Sequence, residues 1–167
     1  NEEELVDIAK TLRTSRLVRN FISENTTPDF LLNPLARNLT TEKELEDKIF
    51  STFDENLEIK KNATPELQGL YASLRETEKT VRSKVGELLG STDFVKYLQE
   101  AIYTTRDDRI VFQVKASDKN KVNGIVHDVS ATNKTFYIEP ESLVPLNNKI
   151  REIQSKIHAE RVRILAE

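Results

Sequence analysis

Few residue types in this sequence could carry covalent chemistry, and their spacing narrows the choice further. There is no cysteine, so thiolate nucleophiles, thiolate metal ligands and disulfides are all excluded. The two histidines, His127 and His158, lie thirty-one residues apart among scattered carboxylates, which is not a metal-ligand spacing. His127 adjoins Asp128, but neighbours along a strand point to opposite faces. The pair therefore cannot form a His–carboxylate dyad by itself, and a structural role is the reading for His127. His158 follows an apolar helix position, Ile157, and is read as solvent-facing. Glu139-Pro140 offers a carboxylate with no second one at useful spacing, and reads as a strand end and helix cap. A phosphate loop needs closely spaced glycines before a Lys-Ser/Thr pair. Gly69, Gly86, Gly90 and Gly124 do not supply one, so neither a catalytic residue nor a cofactor or metal site is assigned.

The basic residues are more informative. Between Ile102 and Pro140 stand Arg106, Arg109, Lys115, Lys119, Lys121 and Lys134, six cations against five acids. The remaining sequence carries 19 basic and 23 acidic residues, so this stretch is the least acidic part of a chain with net charge −3. Lys119, Lys121 and Lys134 fall in loops, where ammonium groups can follow a phosphate backbone without reading sequence. These six are the candidate nucleic-acid contacts.

The elements that must position them follow from periodicity. Leu5, Ile8, Leu12, Val18, Phe21 and Ile22 recur at roughly helical spacing and predict a first helix to about Ser23, ended by Asn25 to Pro28. Leu31, Leu32 and Leu35 form an apolar connector around Pro34. Thr41 with Glu44 predicts a capping box opening a helix whose apolar face is Leu45, Ile49, Phe50 and Phe53. A short link, with a brief strand through Leu57 and Ile59, precedes Thr64-Pro65-Glu66, a strong helix start. Leu67, Leu74, Val81 and Leu88 then recur every seven residues, as do Leu143, Ile150, Ile157 and Ile164 near the end. Two such heptad helices are expected to pack antiparallel, with the intervening segment held at the far end of a stalk about 37 Å long. That segment alternates with period two over Ile110 to Lys115 and over Ile125 to Ser130, with further strands at Ile102 to Arg106 and Thr135 to Ile138. Its short links predict a four-stranded antiparallel meander.

The expected fold class is thus mainly α with a small antiparallel sheet. Its parts are a helical core segment at 1–63, an ascending helix and connector at 64–101, a sheet at 102–140 and a descending helix at 141–167. Composition agrees: 32% charged, 37% apolar and few glycines suit solvent-washed helices. No apolar run reaches the roughly 18 residues of a membrane span, and the acidic start has no signal-peptide apolar region. A cytoplasmic location and the absence of a membrane partner are expected. The lack of methionine suggests an excised fragment.

One stretch points further. It reads Gly124-Ile125-Val126-His127-Asp128-Val129-Ser130-Ala131-Thr132-Asn133-Lys134-Thr135-Phe136-Tyr137-Ile138-Glu139-Pro140, followed by Leu146-Asn147-Asn148. It resembles the second bacterial MutS paralogue family, MutS-Two. Thr64-Pro65-Glu66-Leu67, Tyr97-Leu98-Gln99 and Arg109 to Lys115 follow the same order, so the likeness runs from about Leu12 to the end. Thr132-Asn133 departs from the Ser-Gly usual at the hairpin tip, and Asn tolerates the left-handed backbone such a turn needs. The resemblance implies a lever carrying a clamp, in a homodimeric, ATP-hydrolysing cytoplasmic protein with a carboxy-terminal Smr nuclease domain. ATP and magnesium would belong to that parent and not to these residues. Implied roles are suppression of recombination, on branched or duplex DNA, and action on stalled ribosomes through ribosomal RNA. The rival expectation is a coiled-coil module that binds protein or the ribosome without touching DNA.

Overall fold

The structure, a computed structural model, describes residues 1–166 and is an α+β fold with a four-stranded antiparallel sheet. It divides into two compact units, Asn1–Gln68 and the part from Gly69 onward.

The first unit holds α1 (Glu2–Asn25), α2 (Asn33–Arg37) and α3 (Lys43–Thr52). The apolar connector around Pro34 is itself helical, because proline at the first turn costs no hydrogen bond and presets φ. The capping box expected at Thr41 does not form: the cap is Glu42, with no side-chain bond to the helix. The buried face of α1 is Val6 and Ala9, whereas Ile8, Val18 and Phe21 stay exposed. A fork from Arg16 holds α1 to α3, its Nε and a terminal nitrogen each 2.8 Å from the carboxylate of buried Glu46. That bidentate bond keeps the Glu46 carboxyl below its ordinary value despite burial. Residues 53 and 59 pair as an isolated bridge, and Leu57 turns the chain between them at φ 64°.

Helix α4 (Pro65–Gly90) starts where the Thr-Pro-Glu signal predicts, with the Leu67 N–H donating to Thr64 Oγ1 at 3.1 Å. A short α5 (Thr92–Val95), capped by Ser91, leads into β1 (Leu98–Arg106), so the sheet starts four residues earlier than expected. Strands β2 (Arg109–Lys115), β3 (Gly124–Val129) and β4 (Thr135–Pro140) follow, and α6 (Val144–Ala166) closes the described chain.

The strand order is β1-β2-β4-β3, which corrects the expected meander. Lys115 at the end of β2 lies opposite Thr135, whereas Gly124 at the start of β3 lies opposite Pro140. The chain must therefore travel back along the sheet between β2 and β3, which run the same way with β4 between them. It does so in one short 3₁₀ helix (Ala116–Lys121), with Val122 sunk into the core and the Asn123 carbonyl accepting from the Glu141 N–H at 3.0 Å. Crossing one strand needs only these few residues, so link length alone misled the reading. Gly124 fits here because a Cβ would meet the Glu139 carbonyl at 2.1 Å. β2 is central and buried on both faces, Val111 as fully as Phe112 and Val114.

One core joins Phe112, Val114, Ile138 and Leu98 of the sheet to Val81 and Val85 of α4 and Leu143 before α6, with Leu146 and Ile150 packed against it. The edge strands β1 and β3 each carry a register irregularity, which discourages further strand addition.

Candidate nucleic-acid interface

The six candidate cations separate into two groups. At the end of the sheet where β2 stops, Lys115 pairs in register with Thr135, next to Lys134, and the Ala116 N–H donates to the Lys134 carbonyl at 3.0 Å. The 3₁₀ helix brings Lys119 and Lys121 to the same end. A fifth lysine, Lys96, is added by the structure: its carbonyl accepts from Lys115 Nζ at 3.0 Å, and the Tyr97 carbonyl accepts from the Lys115 N–H at 2.9 Å. Nothing in the local sequence marked Lys96. Only the pairing of the Leu98 end of β1 with Val114 brings it there.

Two aromatic rings organise these ammonium groups. Lys96 and Lys121 stand 5.3 and 5.4 Å from the Tyr97 ring centre, and Lys119 stands 4.5 Å from that of Phe136. Phe94, edge-on to Phe112 at 5.1 Å, anchors the short α5 from which Lys96 and Tyr97 extend. Two of the lysines are paired with acids: Asp93 bonds Lys96 at 2.5 Å, and Asp118 bonds Lys121 at 2.7 Å. Those bonds raise both lysines above their ordinary values, so the ammonium charges persist at neutral pH. Lys134 is exposed, and its ammonium has no partner among the described residues. Five lysines gathered here, only two of them paired with an acid, make this end a cationic surface suited to phosphate.

Arg106 and Arg109 flank the turn at the other end, where Asp107 and Asp108 both adopt positive φ. Arg106 lies over the Tyr137 ring at 4.1 Å and 3.4 Å from Asp128. Arg109 is mostly buried, its guanidinium donating to both oxygens of Glu139 at 2.8 and 3.0 Å and to Asn148 Oδ1 at 2.5 Å. It is committed internally rather than presented to solvent.

Glu139 is the centre of a network that sequence reasoning did not find. Its side chain does not cap a helix. It is fully buried and also meets His127 Nε2 at 2.6 Å and Asn147 Nδ2 at 2.8 Å. The irregular register between Val126 and Asp128 turns His127 toward Glu139, so histidine and carboxylate do pair, though with a partner twelve residues away. Asn147 does more. Its amide accepts from the Ile110 N–H at 3.4 Å and donates to the Ile110 carbonyl at 3.3 Å. β4 ends at Pro140, which has no N–H to offer, and the Asn147 side chain satisfies these β2 groups in its place. Burial alone would raise the Glu139 carboxyl, but the bonds from Asn147, His127 and Arg109 outweigh it and hold it below its ordinary value. The residues that carry the resemblance thus fasten α6 to the sheet. Their spacing was legible; their convergence required the β3–β4 register.

The class these features define is a helix-borne antiparallel sheet with one cationic end, secured to its following helix by a buried ionic clasp. No family model matches the chain. Curated relatives do. It is 36% identical over 166 residues to endonuclease MutS2 of Clostridioides difficile, covering 98% of this chain and 21% of that protein. It is 34% identical over 170 residues to that of Acetivibrio thermocellus, and 39% identical over 164 residues to that of Clostridium botulinum strain 657, again across 21% of each. The chain belongs to the MutS2 family and spans about a fifth of the length of the curated relatives it matches.

Proposed function

We propose that the second unit is a sequence-independent grip on nucleic acid within a longer MutS2-type protein. The observation that carries this reading is the gathering of Lys96, Lys115, Lys119, Lys121 and Lys134 at one end of the sheet, with only Lys96 and Lys121 paired to an acid. Cations that contact phosphates add affinity without base discrimination. In this reading α4 and α6 act as the lever, the sheet as the clamp, and two subunits of a cytoplasmic homodimer close around DNA, with ribosomal RNA as the other phosphate ligand. The endonuclease named for the relatives would belong to residues outside this segment. So would ATP and magnesium, which belong to this reading of the longer protein, since the dispersed glycines here form no phosphate loop.

The test is the salt dependence of binding by the full-length protein. Changing Lys119, Lys121 and Lys134 together to Glu is expected to weaken every DNA or RNA by similar factors. It should also lower the slope of log affinity against log salt by about 0.7 to 0.9 for each lost contact. An unchanged slope in a folded triple variant would move the reading to contact with protein.

A further inference from the structure

The first unit holds a small polar cavity of about 400 Å³, with Arg19, Ser23, Thr26, Asn33 and Arg37 in its wall and no acidic residue. Its volume falls within the range of small-ligand sites, about 300–1,000 Å³. Arg13, Arg16 and Arg19 stand three residues apart, so they share one face of α1. Glu46 takes the first two: Arg16 donates to both of its oxygens at 2.8 Å, and Arg13 approaches to 3.3 Å. Arg19 continues the row without a carboxylate. Its only side-chain partner among the described residues is Thr41 Oγ1, at 3.5 Å. Arg37, in the last turn of α2, has no side-chain partner among them. Free helix ends do not account for the two arginines. The Phe21 and Ile22 carbonyls accept from Asn25 Nδ2 and Thr26 Oγ1 at 2.9 and 2.6 Å. The Leu35 and Ala36 carbonyls accept from the Asn38 and Leu39 N–H groups at 3.1 and 3.2 Å. The Asn33 amide is spent on the Thr27 and Pro28 carbonyls. The donors left to meet a ligand are two guanidinium groups and the Ser23 hydroxyl.

We infer that this cavity binds a phosphate monoester, carried by the end of a nucleic-acid strand or by a free nucleotide. Charge and acceptor count select that chemistry. Two guanidinium groups match the charge of a phosphate monoester, about −1.5 to −2 at neutral pH. Its three terminal oxygens accept a bidentate fork from one arginine and leave acceptors for the other arginine and for Ser23. A carboxylate is filled by a single fork. Glu46 shows this: the Arg16 fork occupies both oxygens, and Arg13 is left at the longer distance. The site is independent of the lysine end of the sheet.

NMR of the isotope-labelled 167-residue chain tests it. The Ser23 amide and the Nε–H signals of Arg19 and Arg37 are followed at constant ionic strength. The probes are acetate, a nucleoside monophosphate, and a short single-stranded DNA with and without a terminal phosphate. Saturable shifts at these positions are expected with a phosphate monoester, at concentrations about tenfold or more below those acetate needs. Arg19→Gln and Arg37→Gln should each weaken that binding about tenfold, with the other backbone signals unmoved. Arg37→Lys keeps the charge but loses the fork, and should restore only part of it. Changing Lys119, Lys121 and Lys134 to Glu should leave these shifts as they are. A gain from the terminal phosphate of the strand assigns the site to a strand end. Binding of the nucleoside monophosphate without that gain assigns it to a free nucleotide. Shifts no stronger than those with acetate, or shifts that survive both Gln substitutions, would overturn the inference.

Discussion

At the scale of the residue, the Glu139 clasp makes the sharpest prediction. A carboxyl held below its ordinary value contributes stability that is present above its unfolded pKa, about 4.3. That contribution is lost as pH falls through the folded value. Glu139→Gln is therefore expected to lower stability near neutral pH by about 3 kcal/mol, since it leaves Arg109 with a weakened partner in a largely buried site. The variant should also show a flatter loss of stability on acidification. Denaturant melts at a series of pH values check both, and parallel acid limbs in the two proteins would remove Glu139 from the account. Asn133 is a simpler case and was legible from its type: it sits at φ 56° at the hairpin tip. Asn133→Gly should be neutral or slightly stabilising and Asn133→Val clearly destabilising in the same melts, by about 1–2 kcal/mol. Glu139 was not legible in this way. Its partners Arg109, His127 and Asn147 come from three other elements, and no spacing rule brings them together before the β3–β4 register is known.

At the scale of the element, local signals succeeded where the cause is local. Thr64 caps α4 because a hydroxyl before Pro-Glu satisfies a free N–H wherever the helix lies. Thr41 failed to cap α3 because the helix opens one residue later, at Lys43 after Glu42. Strand existence was visible in the alternation of β2, but its centrality was not: Val111, on the face opposite Phe112 and Val114, is fully buried as well. The order of β3 and β4 depends on the route of residues 116–123, which is a property of the whole sheet. The heptads make a claim that melts can decide. Ile153 and Ile157 are buried on α6, as Val81 and Val85 are on α4, and seven-residue spacing predicts that the helices pair along their length. Ile157→Ala should then cost about 2–4 kcal/mol, as large-to-small core changes do. A cost of a few tenths would mean that Ile157 is covered too loosely for a packed seam.

At the scale of the whole molecule, the question is how much grip one segment can supply. Five lysines at the sheet end set a ceiling of about 4.5 on the slope of log affinity against log salt for one arm. Lys96 and Lys121, already paired to Asp93 and Asp118, should contribute only as those weak surface pairs give way. A single arm should therefore bind weakly at physiological salt. In the proposed dimer, two arms would gain effective concentration and should show up to twice the slope, with affinity rising far more than twofold. The prediction is that the 167-residue chain binds duplex DNA measurably only at low salt, while the full-length protein binds at higher salt with a steeper slope. Lys96→Glu, a position that only the structure singles out, should reduce that slope. Arg106→Glu at the opposite end should leave it unchanged, because Arg106 is turned onto Tyr137 and Asp128. Equal slopes for the short and full-length proteins would mean that the second arm adds no phosphate contacts. A loss with Arg106→Glu as large as with Lys96→Glu would mean that the charge of the whole sheet, and not its lysine end, meets the phosphates.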